Sequence, residues 1–402
     1  MRRLLVIAAL LAGPARAADL ELLHSWTSGS EAAMVAELSA AARRAGVDLK
    51  VTAVAGASNA STLLKARFLS GHPPELAQTD KPLRIWSEAV PLADLGAAVD
   101  AQLAALPRAI AAELRDAGRP AAVPLNVHRL NTLWSNQRLL RAHGLAVPQD
   151  WDAFHRAAAQ LRAAGLLPLA LGSSAGQKLS LFVAVVLGRA GRDFFERALV
   201  QADPALLAGE RMAALLREFR ALKAYTDAGQ VSRDWAGATA LLLQGKAVFQ
   251  FTGDWANGEF QKAGWQPGVD YDCSAAPGNG GLHYFEFDRI VFFAQPARLG
   301  AQQRLAGALL QPQVSAQLAR LKGGIPVRGD ADLGGFNACA RRSAADFRAG
   351  EARGELTLAL SARLGESAYG GLRDVLSAYW ASERMTVQQA QKRLALALRQ
   401  AD

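Results

Sequence analysis

Between Asp19 and Gln78 the chain alternates strand-like and helical runs, and this alternation constrains the fold more than any other feature. Asp19 to His24 reads as a first strand, with a polar turn after it at Thr27-Ser28-Gly29-Ser30. Glu31 to Ala45 has a helical pattern that ends at Gly46. Val47 to Val54 alternates as a strand. Ser61 to Leu69 reads as a short amphipathic helix stopped by Gly71-His72-Pro73-Pro74, and Glu75 to Gln78 as another short strand. Strand and helix in turn predict a mostly parallel α/β sheet.

The pattern continues. Ala121 to Val127 is strand-like, and the run from Thr132 to Asn136 leads into a helix that stops at Gly144. Asp150 sits where a helix N-cap belongs, and that helix ends at Gly165. Leu166 to Leu171 returns as a strand, residues 178–243 read as a long helical region, and Lys246 to Phe251 is a strand. Gly253-Asp254-Trp255 then opens another helix. Ile290 to Ala294 reads as a buried strand, residues 300–321 as helix, and the chain from Thr357 on as helical. No internal repeat or low-complexity linker interrupts this order, which favours two lobes joined by several crossings.

The N-terminus speaks to compartment. Met1-Arg2-Arg3 is basic, Leu4 to Gly13 is apolar, and Ala15-Arg16-Ala17 fits an A-x-A cleavage site. This is the layout of a secretory signal peptide over residues 1–17, cleaved near Ala17/Ala18, and the apolar run is too short to span a bilayer. Export to the periplasm is the expectation. Cleavage leaves 385 residues, too many for one ordinary core, so two domains are expected. The formal net charge of +9 falls to +6 without Arg2, Arg3 and Arg16. The basic residues are scattered at helical spacing, as on solvated helix faces, which argues against a nucleic-acid partner.

Cys273 and Cys339 are the two cysteines. An even count in an exported chain predicts one disulfide, closing 66 residues and contributing ~4 kcal/mol on the chain-entropy model. Two cysteines without clustered histidines do not make a structural zinc site, and no motif calls for a metal or a cofactor.

Five segments together resemble the extracellular solute-binding proteins of carbohydrate ABC importers, in particular the glucose/mannose-type periplasmic branch. They are Leu22–Leu38, Val123–Phe154, Leu241–Gly281 (with its Gly-Lys turn, strand and Gly-Asp-Trp), Leu321–Arg328 (LKGGIPVR) and the tail Ser377–Leu394. The resemblance implies a two-lobe α/β fold with hinge crossings and a ligand cleft between the lobes. It places residues 18–125 and 273–323 in an N-terminal lobe and residues 126–272 and 324–402 in a C-terminal lobe. Closure around the ligand about a hinge is the implied motion.

A sugar ring has apolar faces and polar edges, so indoles and charged or amide groups suit it. By position and by resemblance the candidate ligand-binding residues are Trp26, Glu31, Asp80, Lys81, Asn126, His128, Asp254, Trp255, Asp288 and Lys322. Two departures from the glucose-type pattern stand out. Leu358 to Arg363 lacks the branch's histidine, and Ser173 to Lys178 lacks an aromatic residue, so a sugar other than glucose, or a polyol, is a possible ligand.

The chain carries no G-x-S-x-G, H-E-x-x-H, P-loop or Rossmann signature. The function that the resemblance implies is a monomeric, non-catalytic component that captures a sugar and delivers it to inner-membrane permease subunits. The alternatives are a periplasmic sensor that presents ligand to a receptor kinase and, behind it, a carbohydrate-active enzyme.

Overall fold

The structure, a computed structural model, describes residues 18–399; the signal-peptide segment lies outside the described residues. Its main strands are β1 (Ala18–His24), β2 (Val47–Ala53), β3 (Leu76–Thr79), β4 (Ala122–Arg129), β5 (Thr132–Asn136), β6 (Leu167–Leu169), β7 (Ala247–Phe251), β8 (Tyr271–Ala275), β9 (Tyr284–Phe292) and β10 (Thr357–Leu358). The first sheet runs β10-β9-β3-β1-β2, with β4 paired to the other edge of β9. The second runs β8-β5-β7-β6. The expected parallel pairing holds for β1, β2 and β3. It also holds between β9 and β10 and between β6 and β7, but other pairs run the opposite way. β9 runs antiparallel to β3 and β4, and β5 antiparallel to β7 and β8. These are strands that cross between the lobes or lie just beyond a crossing, so their direction follows the return path of the chain rather than a helical crossover.

The principal helices are α1 (Gly29–Arg44), α2 (Ala57–Leu69), α3 (Trp151–Ala163), α4 (Ala175–Phe195), α5 (Trp235–Leu243), α6 (Ala256–Lys262), α7 (Leu299–Leu309), α8 (Pro312–Lys322), α9 (Ala338–Arg353), α10 (Glu366–Ala381) and α11 (Val387–Leu398). Local chemistry sets their ends. Ser28 caps α1 by accepting from the Glu31 amide, and Glu31 closes the capping box. Asp150 caps α3 as expected. The helix read over residues 300–321 is two, because Pro312 cannot continue one and starts the next. The region 178–243 also breaks into several helices. Asp203 caps a new helix there, with Pro204 in its first turn, and Gly191 takes a φ of 81° within α4. After residue 357 the chain is not helical throughout, since Thr357–Leu358 adds β10 to the first sheet.

Two apolar clusters form the lobes. One gathers β1–β4 and β9 with α1, α7, α8 and part of α9; the other gathers β5 and β7 with α3, α4, α10 and α11. The chain passes between them at Leu130–Asn131, through residues 276–283, and again after Leu358. Asn131 ties two of these passages together. Its side chain accepts from the Tyr284 amide and donates to the Leu282 carbonyl. The lobe boundaries read from sequence shift accordingly. Residues 273–275 pair with β5 in the second sheet, and residues 325–347 contribute Ile325, Val327, Phe336 and Phe347 to the first cluster. The Cys273–Cys339 disulfide is formed, with Cα atoms 5.8 Å apart, and fastens the start of α9 to β8.

Candidate functional site

β4 and β9 lie side by side where the two sheets meet, and their antiparallel register sets Asn126 opposite Asp288 and His128 opposite Glu286. Side chains alternate along a strand, so these four polar groups share one face of the pair. The Phe-Glu-Phe-Asp order over residues 285–288 is the local signature of that face, with the phenylalanines turned into the first lobe's core.

His128 is the centre. Its imidazole is 1% exposed, with Nδ1 2.5 Å from Asp254 Oδ1 and Nε2 3.1 Å from Asp288 Oδ2. Asp288 belongs to the first sheet, whereas Asp254 follows β7 of the second, so the imidazole joins the lobes. The second Asp254 oxygen accepts from the Arg129 amide at 3.0 Å. Burial pushes His128 toward the neutral form, but the two carboxylates outweigh it and lift its pKa to about 9. Burial likewise raises Asp288, yet the His128 hydrogen bond and the Lys322 charge hold it down at about 2. Asn126 is wholly buried beside Asp288 and helps hold that charge, but neither of its amide atoms completes a well-formed hydrogen bond within the chain.

A second buried pair lies alongside. Lys322 Nζ donates to Glu31 Oε1 at 2.6 Å, while Glu31 Oε2 accepts from the amides of Thr27 and Ser28 at 2.8 Å each. Burial disfavours both charges. The Lys322 charge nevertheless keeps the Glu31 carboxyl below its ordinary range, and Glu31 raises Lys322 in return. Lys322 is thus a buried cation at the end of α8. Two glycines explain its position: a side chain on Gly323 (φ 98°) would come within 2.5 Å of the Gly258 amide nitrogen, and one on Gly324 within 2.6 Å of the Val127 carbonyl oxygen. Only glycines allow this turn to run against β4 and α6.

Trp255 lies between these groups. Its half-buried indole meets His128 edge-on at 5.3 Å and Trp235 at 6.2 Å, and Lys322 Nζ lies 5.8 Å over its ring. The Trp255 Nε1 donor is buried without a partner. Trp26 differs. It is 4% exposed, belongs to the first lobe's apolar cluster, and stacks on His24 at 5.4 Å. It reaches the polar group only through His24, whose ring is held neutral by burial against the pull of Glu31.

Asp80 and Lys81, at the end of β3, stand apart from His128. Lys81 Nζ reaches across to Glu366 of α10 at 2.5 Å, and Lys65 of α2 joins the same carboxylate at 2.7 Å. Asp80 instead lines a recess with Gln78 and Lys81, close enough to Glu286 and Tyr369 for its charge to raise both groups. The residues that sequence reasoning passed over are Glu286, Trp235, Glu366, Tyr369 and Arg373. The Phe-Glu-Phe-Asp alternation is a local signal that could have found Glu286, two positions before Asp288. The other four carry no local signal, because their faces are set by how α5 and α10 dock. Among the described residues, no group of histidine, cysteine and acidic side chains is placed to hold a metal ion, and no helix is long and apolar enough to cross a membrane.

Polar groups gathered from both lobes at their junction, beside an indole with an open face, make a receptor-like arrangement. Residues 26–284 match the family of bacterial extracellular solute-binding proteins. This chain belongs to that family. The solute-binding protein is 33% identical over 374 residues to a probable sugar-binding periplasmic protein of Brucella melitensis biotype 1, covering 90% of this chain and 87% of the relative. It is also 33% identical over 354 residues to a probable sugar-binding periplasmic protein of Rhizobium meliloti, covering 86% and 85%. Two solved structures share its fold. The solute receptor AcbH, described as having an exclusive preference for β-D-galactopyranose, superposes with a TM-score of 0.77 at 16% identity, covering 94% of this chain and 97% of the receptor. Maltose-bound MalE3 of T. maritima superposes at 0.76 and 15% identity, covering 95% and 99%. At these identities the likeness carries the two-lobe fold alone.

Proposed function

We propose that this solute-binding protein is the periplasmic receptor of an ABC importer, which captures a sugar between its lobes and delivers it to inner-membrane permease subunits as a monomer. One observation carries the reading: buried polar side chains from both lobes meet at the junction, next to the half-exposed Trp255. Trp255 would cover an apolar face of the ring, and Asn126, Asp254, Asp288 and Lys322 would meet its hydroxyls. Glu31 supports Lys322, and both of its oxygens are already engaged. The names of the 33%-identical relatives support a sugar as ligand and the periplasm as compartment.

The cleavage site near Ala17/Ala18 belongs to the same reading. Ser30 of α1 donates to Glu259 of α6, and Lys65 and Lys81 of the first lobe meet Glu366 of the second, so polar contacts span the lobes as closure would require. The two aspartates nearest the candidate ligand are tied to one imidazole.

The test is a thermal-shift and calorimetric screen of the purified mature protein against mono- and disaccharides. A ligand at a thousandfold its dissociation constant stabilises by about 4 kcal/mol, a rise of several degrees. A screen in which no sugar changes the melting temperature or releases heat would overturn the proposal, and turnover of any sugar would reassign the protein as an enzyme.

A further inference from the structure

Four cations around the lobe junction are matched, and two carboxyls near them are not. Lys322 is bound to Glu31, His128 to Asp254 and Asp288, and Lys65 and Lys81 to Glu366. Arg289 lies on the Phe287 side of β9, its guanidinium 4.3 Å over that ring and bonded to the Glu113 carbonyl. The carboxyls of Asp80 and Glu286 have no hydrogen bond or ion pair among the described residues.

Glu286 shares its face with Asp288 and is paired in register with His128. Asp80 lines a recess with Gln78, Lys81 and the α2 residues Ser61 and Leu64. Across from them, Glu366, Tyr369 and Arg373 follow one stripe of α10, three and four residues apart. Burial and the Asp80 and Glu286 carboxyls push the Tyr369 hydroxyl well up, and Arg373 is turned onto the Tyr369 ring at 5.4 Å. Two further groups on this side of the junction wait for a partner. Asn126 is fully buried on the Glu286 face with no completed hydrogen bond, and Trp255 Nε1 is buried and unbonded.

We propose that Glu286 and Asp80 are specificity-determining residues that admit a sugar edge rich in hydrogen-bond donors, hydroxyl or ammonium, and reject an acidic sugar. This rests on the sugar-binding reading above. An incoming hydroxyl or ammonium supplies the donors these two carboxyls lack. An incoming carboxylate brings a second negative charge beside Asp80, in a place where burial and that charge already disfavour ionisation of Glu286. Arg373, turned onto the Tyr369 ring, is a cation on this side that could favour an anion instead, which makes the outcome informative.

The experiment is calorimetry on the mature protein with glucose, glucosamine and glucuronate, and with galactose, galactosamine and galacturonate. The expected result is that a neutral or amino sugar binds while its uronate binds at least tenfold more weakly, and that Glu286→Gln with Asp80→Asn narrows this gap at least threefold. A uronate within tenfold of its parent overturns the inference alone, as does an unchanged gap in a double variant that keeps its melting temperature. If neither the neutral nor the amino sugars bind, and a disaccharide screen is also silent, the sugar-binding reading falls and this inference with it.

Discussion

Replacing His128 with glutamine removes the one positive charge between Asp254 and Asp288. The cost follows from the structure in two ways. Lifting the pKa of His128 from 6.5 to about 9 corresponds to roughly 3 kcal/mol of preference for the charged form, at about 1.4 kcal/mol per pH unit. Removing one member of a buried ion pair costs about 3–5 kcal/mol, because the remaining charge is left uncompensated. Asp288, held at about 2, reports the same contact from the other side, so the two figures are not added. The pH window follows from the signs. A raised histidine stabilises fully below pH 6.5 and loses that contribution as pH rises through about 9. A lowered carboxyl stabilises above its ordinary 3.8 and loses the contribution as pH falls toward 2. Urea denaturation of the wild type and His128→Gln at pH 5.5, 6.5, 8 and 10 is the assay. The variant is expected to be about 3 kcal/mol less stable at pH 5.5 and 6.5, with the gap shrinking toward pH 10. A gap below 1 kcal/mol at pH 6.5, or one that does not change with pH, refutes a charged imidazole bridge.

Other consequences are open to measurement. Opening the 66-residue loop with Cys273→Ser and Cys339→Ser should cost about 4 kcal/mol, and alkylation of the unreduced native protein should find no free thiol. Glu366→Gln removes partly exposed contacts to Lys65 and Lys81, so sugar affinity should fall about two- to fivefold at low salt and less in 0.5 M NaCl; equal loss at both ionic strengths would argue against an ionic latch. Trp255→Ala should weaken sugar binding at least tenfold with little change in folding. Trp26→Ala, by contrast, should lower stability by about 3–5 kcal/mol, as core indole truncations do, which circular dichroism during denaturation would register.

Much of the architecture was legible in local patterns. The first three strands and two helices, the Asp150 cap and the single disulfide all follow from short-range chemistry. The site was legible only in part. Asp254 and Trp255 could be chosen because they end a strand and open a helix, and Asp288 because it matches a polar family position before a buried strand. Trp26 also follows a strand yet lies in the first lobe's apolar cluster, because strand position does not tell which way an indole turns.

What the amino-acid sequence determined by itself is the order of elements, their caps and breaks, and the alternation that puts Glu286 and Asp288 on one face of β9. Only the tertiary structure decided that His128 would lie between Asp254 and Asp288, 126 and 160 residues further along the chain, and that Glu31 would neutralise a lysine 291 residues away. Periodicity and capping act over one or two turns of chain. Which charges share a buried space depends instead on how the lobes return to each other, and there the cost of leaving any one of them unpaired selects the arrangement.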